Sequence, residues 1–101
     1  MKKEIELYEI VLLIKPAFNQ QEILDKINYY HLFLTNQGSR VISQNRGKKS
    51  LNYMIKGFDN AIYIQMYYLG NGQLVNALNK EFSRDESILR NITTKFHKTI
   101  K

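Results

Sequence analysis

The sequence predicts an α+β fold: a four-stranded antiparallel sheet with two helices on one face. Three observations predict it. Apolar residues crowd into strand-like runs in four segments and recur with a helical period in two others. The segments follow the order strand, helix, strand, strand, helix, strand. The length of 101 residues suits one domain, residues 1–101, with a single modest core.

Glu4 to Ile14 reads as the first strand. Ile5, Leu7, Val11 and Leu13 alternate with Tyr8, Ile10, Leu12 and Ile14, so both faces are expected to be largely covered, as in a central strand. Pro16 lacks an N–H and stops the ladder. Asn19 with Glu22 three residues later forms an approximate capping box. The helix that follows is expected to run to about Asn36. Ile23, Ile27, Tyr30 and Leu34 trace its apolar stripe, Leu24 and Phe33 widen it, and Gly38 ends it.

Ser39 to Ile55 reads as one long strand with an irregular, basic middle, in which Gly47 marks a bulge or bend. Gly57-Phe58-Asp59-Asn60 has turn composition. Ala61 to Leu69, rich in Ile and Tyr, is the next strand and is expected to be central, paired with its predecessor as a hairpin. Gly70-Asn71-Gly72 breaks it. Leu74, Val75, Leu78 and Phe82 trace a second, shorter helix. Asp85 and Glu86 open the last segment, whose β-branched residues lead to a basic end. This element order is the split β-α-β, ferredoxin-like β-α-β-β-α-β pattern. It is shared by RNA-recognition modules and by unrelated proteins, so it does not decide function.

Charge narrows the choice. The net charge is +6, and it is segregated. No acidic residue lies between Lys26 and Phe58, a stretch holding Lys26, Arg40, Arg46, Lys48, Lys49 and Lys56. Arg90, Lys95, Lys98 and Lys101 follow the last acid, Glu86. Such segregation is the footprint of a phosphate-rich partner, although a solvated basic surface is the plainer reading. Arg46-Gly47-Lys48-Lys49 is the strongest local signal. Its cations suit a phosphate backbone, the favoured reading, and its lysines also suit an edge strand guarded against aggregation; both can hold together. Tyr63 and Tyr67 share one strand face but lack the glycine-rich context of a base-stacking motif. Core or protein-interface packing is the expected role.

Catalytic chemistry finds little support. There is no cysteine, hence no thiolate ligand or cysteine nucleophile. His31 and His97 are far apart in sequence and lack partners at metal-ligand spacing. No phosphate-binding loop or nucleophile elbow occurs. Asp85 and Glu86 suit a helix end or turn better than acid–base work. No cofactor, metal or small-molecule substrate is expected. A regulatory, ligand-binding or dimerising module of the same fold remains an alternative. An acylphosphatase-like enzyme is a weaker one, because Lys15-Pro16-Ala17-Phe18-Asn19 is not glycine-rich.

The start lacks the apolar core of a signal peptide and the Ser/Arg-rich, acid-poor look of a transit peptide. No apolar run approaches the ~18 residues of a membrane span. The chain is expected to be made and used in one compartment. Phe, Tyr, Met, Ile, Asn and Lys are abundant while Gly, Ala, Arg and Pro are scarce, which points to an AT-rich gene.

Three segments, in order and at fitting spacing, carry a resemblance. Leu7-Tyr8-Glu9-Ile10-Val11-Leu12-Leu13-Ile14-Lys15-Pro16 resembles the R-Y-E-x-x-x-I-x-x-P opening of the bacterial-type ribosomal protein S6 family. Gly47-Lys48-Lys49-Ser50-Leu51-Asn52-Tyr53-Met54-Ile55-Lys56 is similar to its W-G-K-R-x-L-A-Y-x-I-x segment, without the tryptophan. Asp85-Glu86-Ser87-Ile88-Leu89-Arg90 resembles its D-E-x-V-L-R motif. The resemblance implies a structural, non-catalytic protein of the small-subunit platform. It implies binding to small-subunit ribosomal RNA alongside ribosomal protein S18. With the compositional bias it favours a plastid (chloroplast) ribosome over a low-GC bacterial cytoplasm. The residues expected to meet RNA are Lys2, Lys3, Arg46, Lys48, Lys49, Lys56 and Arg90. Arg90 has an alternative as a structural partner of Asp85 or Glu86. The apolar, tyrosine-rich sheet face left free by the helices is expected to dock the protein partner.

Overall fold

The structure, a computed structural model, describes residues 5–96. Its elements run β1 (Glu6–Ile14), α1 (Gln20–Asn36), β2 (Val41–Ile55), β3 (Phe58–Gly70), α2 (Gly72–Ser83) and β4 (Ile88–Lys95). The strands form one antiparallel sheet in the order β2-β3-β1-β4, so β1 and β3 are central and β2 and β4 are edges.

Strand alternation divides the side chains between two faces. Tyr8, Ile10, Leu12 and Ile14 of β1 and Ile62, Ile64, Met66 and Tyr68 of β3 face both helices. There they meet Ile23, Tyr30 and Leu34 of α1, Leu78 and Phe82 of α2, and Ile88 of β4. This is the main core. The opposite parity faces away from the helices and is covered only at one end. There Leu13, Ile55, Ala61 and Leu89 make a second, smaller cluster edged by Val11, Leu51, Phe58 and Tyr63. The expectation that β1 is covered on both faces therefore holds for that end alone. Leu7 is more than a third exposed and Ile5 mostly so.

Sequence signals set the ends of α1. The Asn19 side chain accepts from Glu22 N–H at 2.8 Å, and Glu22 accepts from Asn19 N–H at 2.9 Å, completing the capping box. At the other end Gly38 donates to Thr35 O and Ser39 donates to Leu34 O, each at 3.0 Å, the Schellman pattern. Leu24, expected to widen the buried stripe, lies on the outer side and is half exposed. It stands next to Ile23 in sequence, so the helical turn carries it round from the sheet. In α2 the N-cap is Asn71, whose side chain accepts from Leu74 N–H at 3.0 Å.

The expected turn at Gly57-Phe58-Asp59-Asn60 lies earlier. Ile55 pairs with Phe58, and the link is Lys56-Gly57. Both have positive φ, 51° and 86°, as a type I′ hairpin turn requires. β3 therefore starts at Phe58. The bulge expected at Gly47 is present: the register shifts between Asn45 and Gly47, and Gly47 sits at φ 86°.

A polar cluster joins the two helices to the start of β4. Asp85 accepts from Lys26 Nζ at 3.0 Å, Tyr30 O–H at 2.6 Å, Ser87 O–H at 2.6 Å and Ser87 N–H at 3.0 Å. Beside it, the Tyr30 and Phe82 rings meet edge to face, 5.0 Å between centroids. Asp85 thus has the turn role expected for it, and it also fastens α1 to the α2–β4 connection. Burial on its own would raise the Asp85 carboxyl. The hydrogen bonds from Ser87, Tyr30 and Lys26 outweigh burial and hold it at about 2, against an ordinary 3.8. Burial and the same carboxylate push the Tyr30 phenol up, so it stays a donor.

A carboxylate depressed in the folded state stabilises the fold above its unfolded value, and that stability fades as pH falls toward the folded value. We predict that the contribution of Asp85 is complete above about pH 4 and lost between there and about pH 2. Asp85→Asn should cost on the order of 2 kcal/mol at neutral pH and flatten that part of the acid limb. Denaturant titrations of both proteins from pH 7 to pH 2 check this; parallel acid limbs would refute it.

Candidate nucleic-acid interface

The residues expected to meet RNA fall into distinct places. Lys2 and Lys3 lie outside the described residues. Arg46, Lys48, Lys49, Lys56 and Arg90 are all exposed. Register assigns their faces, since directly paired residues share one. Lys49 pairs with Ala61 and Arg90 with Leu13, both in the second cluster, so these two cations belong to the face free of helices. Lys48 pairs with Ile62 of the main core and points to the other side. Arg46 is the extra residue of the bulge. Lys56 occupies the hairpin turn.

The bulge aims Arg46 along the free face. Its Nε donates to Gln65 Oε1 at 2.9 Å, and Gln65 Nε2 in turn donates to Glu9 and, at 2.8 Å, to the Tyr67 hydroxyl. Arg90, at the far edge, donates from Nη1 to the Tyr53 hydroxyl at 2.9 Å, with its guanidinium 5.8 Å from the centre of that ring. Among the described residues Arg90 is ion-paired with neither Asp85 nor Glu86. Asp85 is occupied by Lys26, Tyr30 and Ser87, and Arg90 turns to Tyr53.

Among the described residues Lys26, Arg84 and Lys95 are ion-paired, whereas these five cations, like Lys15, Arg40 and Lys80, are not. Among the described residues the ion pairs are Lys26–Asp85, Arg84–Glu81 and Lys95–Glu6. None of them involves Arg46, Lys48, Lys49, Lys56 or Arg90. Their charge is therefore free for an outside anion, and near the surface an unneutralised cluster attracts phosphate over about a Debye length.

The aromatic residues follow the packing reading. Tyr63 lies against the second cluster, and Tyr67 leans on Phe96, 5.7 Å between ring centroids. Beside them Leu7, Ile42, Leu69, Ile92 and Phe96 are exposed. Among the described residues no group of His, Cys, Asp and Glu is arranged to hold a metal. No described helix is long and apolar enough to cross a membrane.

Two features escaped the sequence reading. Tyr53 shares its parity with Leu51 and Ile55, so alternation would have put it on their face. Gln65 sits between Tyr63 and Tyr67 in the same way. Their partners, Arg90 and Arg46, come from other strands and leave no local mark.

The profile of the family described as Ribosomal protein S6 matches residues 7–95. The chain belongs to the ribosomal protein S6 family. It is 43% identical to small ribosomal subunit protein bS6c of Porphyra purpurea over 99 residues, covering 95% of this chain and 88% of that protein. It is 37% identical to bS6c of Pyropia yezoensis, with 97% and 91% covered. Against bS6 of the cyanobacterium Cyanothece it is 35% identical, with 87% and 84% covered. The crystal structure of 30S ribosomal protein S6 from Thermotoga maritima superposes with a TM-score of 0.83 at 19% identity, covering 92% of this chain and 89% of that one, and so shares the fold. This S6 chain is thus a component of the small subunit, and its relatives in red algae and a cryptophyte place it in a plastid ribosome. The S6 family is structural, not enzymatic. That sets aside the ligand-binding module and the acylphosphatase-like enzyme.

Lys56 carries a side chain into the left-handed region, which Asn tolerates better than Lys. We predict that Lys56→Asn raises stability by about 0.5–1 kcal/mol. The check is a higher denaturant midpoint with an unchanged m-value.

Proposed function

We propose that this S6 protein, acting as a single domain, binds small-subunit ribosomal RNA in the platform of the plastid small subunit, together with ribosomal protein S18. The observation that carries the reading is the set of exposed cations on and around the β2–β3 hairpin, Arg46, Lys48, Lys49 and Lys56, none ion-paired among the described residues. They contact phosphates, the lysines as point charges and Arg46 as a fork whose angle Gln65 fixes. Lys2, Lys3 and Arg90 complete the set expected from the sequence. The free sheet face supports the protein contact. Leu7, Ile42, Leu69 and Phe96 form an apolar patch around Tyr67, with Glu9 and Gln65 as polar fixtures.

RNA affinity should then fall linearly in log–log terms as salt rises, each phosphate contact contributing a slope of about 0.7–0.9. Replacing Arg46, Lys48, Lys49 or Lys56 singly by Gln should weaken binding and flatten the slope by about that amount per residue. Filter binding to small-subunit ribosomal RNA in the presence of S18, across a salt series, is the test. An affinity that does not change with salt would remove the phosphate contacts.

A further inference from the structure

We propose that Arg90 and Tyr53 form a clasp that holds the end of the β2–β3 hairpin across the free face, and that Arg90 serves RNA binding as a positioning residue and not as a phosphate contact. The proposal rests on the RNA-binding reading above and assigns a different role within it to one of the expected residues.

The two residues belong to opposite edges of the sheet. In the order β2-β3-β1-β4, Tyr53 of β2 and Arg90 of β4 are separated by both central strands. They meet because β2 leaves its ladder. Ser50 pairs with Asn60 and Ile55 with Phe58, so Leu51, Asn52, Tyr53 and Met54 all stand opposite Asp59 alone. Of the surplus residues Leu51 is partly buried, and Asn52, Tyr53 and Met54 are exposed. Leu51 and Ile55 pack with Leu13 of β1, Ala61 of β3 and Leu89 of β4 in the second cluster. Tyr53, on the same parity and exposed, accepts from Arg90 Nη1 at 2.9 Å, with the guanidinium 5.8 Å from its ring centroid. That is within cation–π range.

β4 contributes a matching distortion. Ile14 pairs with Ile88 and Leu13 with Arg90, so Leu89 is an extra residue that turns into the second cluster and brings Arg90 beside it. Both partners are therefore delivered by irregularities, and bulges are a common means of re-aiming a side chain. The arrangement matters because the segment it fixes carries the cations on both of its flanks: Lys48 and Lys49 just before residue 51, and Lys56 just after residue 55. A loose hairpin end would spread those charges over many positions and make RNA pay for ordering them. A clasped one presents them in a set geometry, which is how preorganisation raises affinity.

The two roles for Arg90 predict different salt behaviour. Filter binding of the full chain to small-subunit ribosomal RNA, with S18 present, would be run across a salt series for Arg90→Gln, Tyr53→Phe, the double variant and Lys49→Gln. The clasp predicts that Arg90→Gln and Tyr53→Phe each weaken binding by about three- to tenfold with the salt slope unchanged, that the double variant is no worse than Arg90→Gln alone, and that Lys49→Gln flattens the slope. A direct phosphate contact predicts instead that Arg90→Gln flattens the slope by about 0.7–0.9 and that Tyr53→Phe has no effect; that result would overturn the proposal. Amide exchange in the free proteins separates this from failure of the RNA reading. Residues 51–56 should exchange faster in Arg90→Gln and Tyr53→Phe than in the wild type, whether or not RNA binds. Unchanged exchange there would also refute the clasp.

Discussion

Both helices pack on one face of the sheet, and that allocation constrains the rest of the molecule. The apolar parity of β1 and β3 is spent on α1 and α2, with Tyr30, Phe82 and the Asp85 cluster tying the helices to each other and to the start of β4. The other parity has no helix to meet. It must be covered by the chain's own irregularities, carry polar groups, or wait for a partner. All three solutions occur on the free face. The second cluster covers one end, Glu9, Gln65 and Arg46 make a hydrogen-bonded row in the middle, and Leu7, Ile42, Leu69 and Phe96 remain open at the other end.

That division of labour suits a protein built into a ribonucleoprotein particle. Of the cations that pair internally, Lys26 and Lys95 join different elements of the fold, and Arg84 pairs with Glu81 at the end of its own helix. Those of the β2–β3 hairpin find no carboxylate among the described residues, and they project from a long edge strand that also needs protection from pairing with another chain. Guarding an edge and attracting phosphate call for the same residues, so the two readings of Arg46-Gly47-Lys48-Lys49 are compatible.

Local chemistry made most of the fold legible. Asn19 with Glu22, the Ile23–Ile27–Tyr30–Leu34 stripe, Gly38 and Gly47 each act over a few residues, and each does in the structure what its type and spacing imply. The alternation of Lys48 and Lys49 to opposite faces follows from strand geometry alone. What was illegible depends on contacts between distant segments. The hairpin turn falls on Lys56 because pairing of Ile55 with Phe58 holds a lysine at positive φ, against its own preference. Leu24 is a different case, since the helix's own rotation, a local property, places it outside. Tyr53 reaches Arg90 only because two register shifts, one on each edge strand, act together. No periodicity in the sequence announces such a meeting.

On the function proposed above, the β2–β3 hairpin is the part of this S6 protein that lies on ribosomal RNA. Protein–RNA crosslinking in intact plastid small subunits, with the crosslinked peptides identified by mass spectrometry, tests it most directly. RNA adducts are expected on the peptides carrying Arg46, Lys48, Lys49 and Lys56, with the outer surface of α1 around Leu24 and Leu32 left unmodified. Adducts confined to α1 or α2, with the hairpin unmodified, would contradict it.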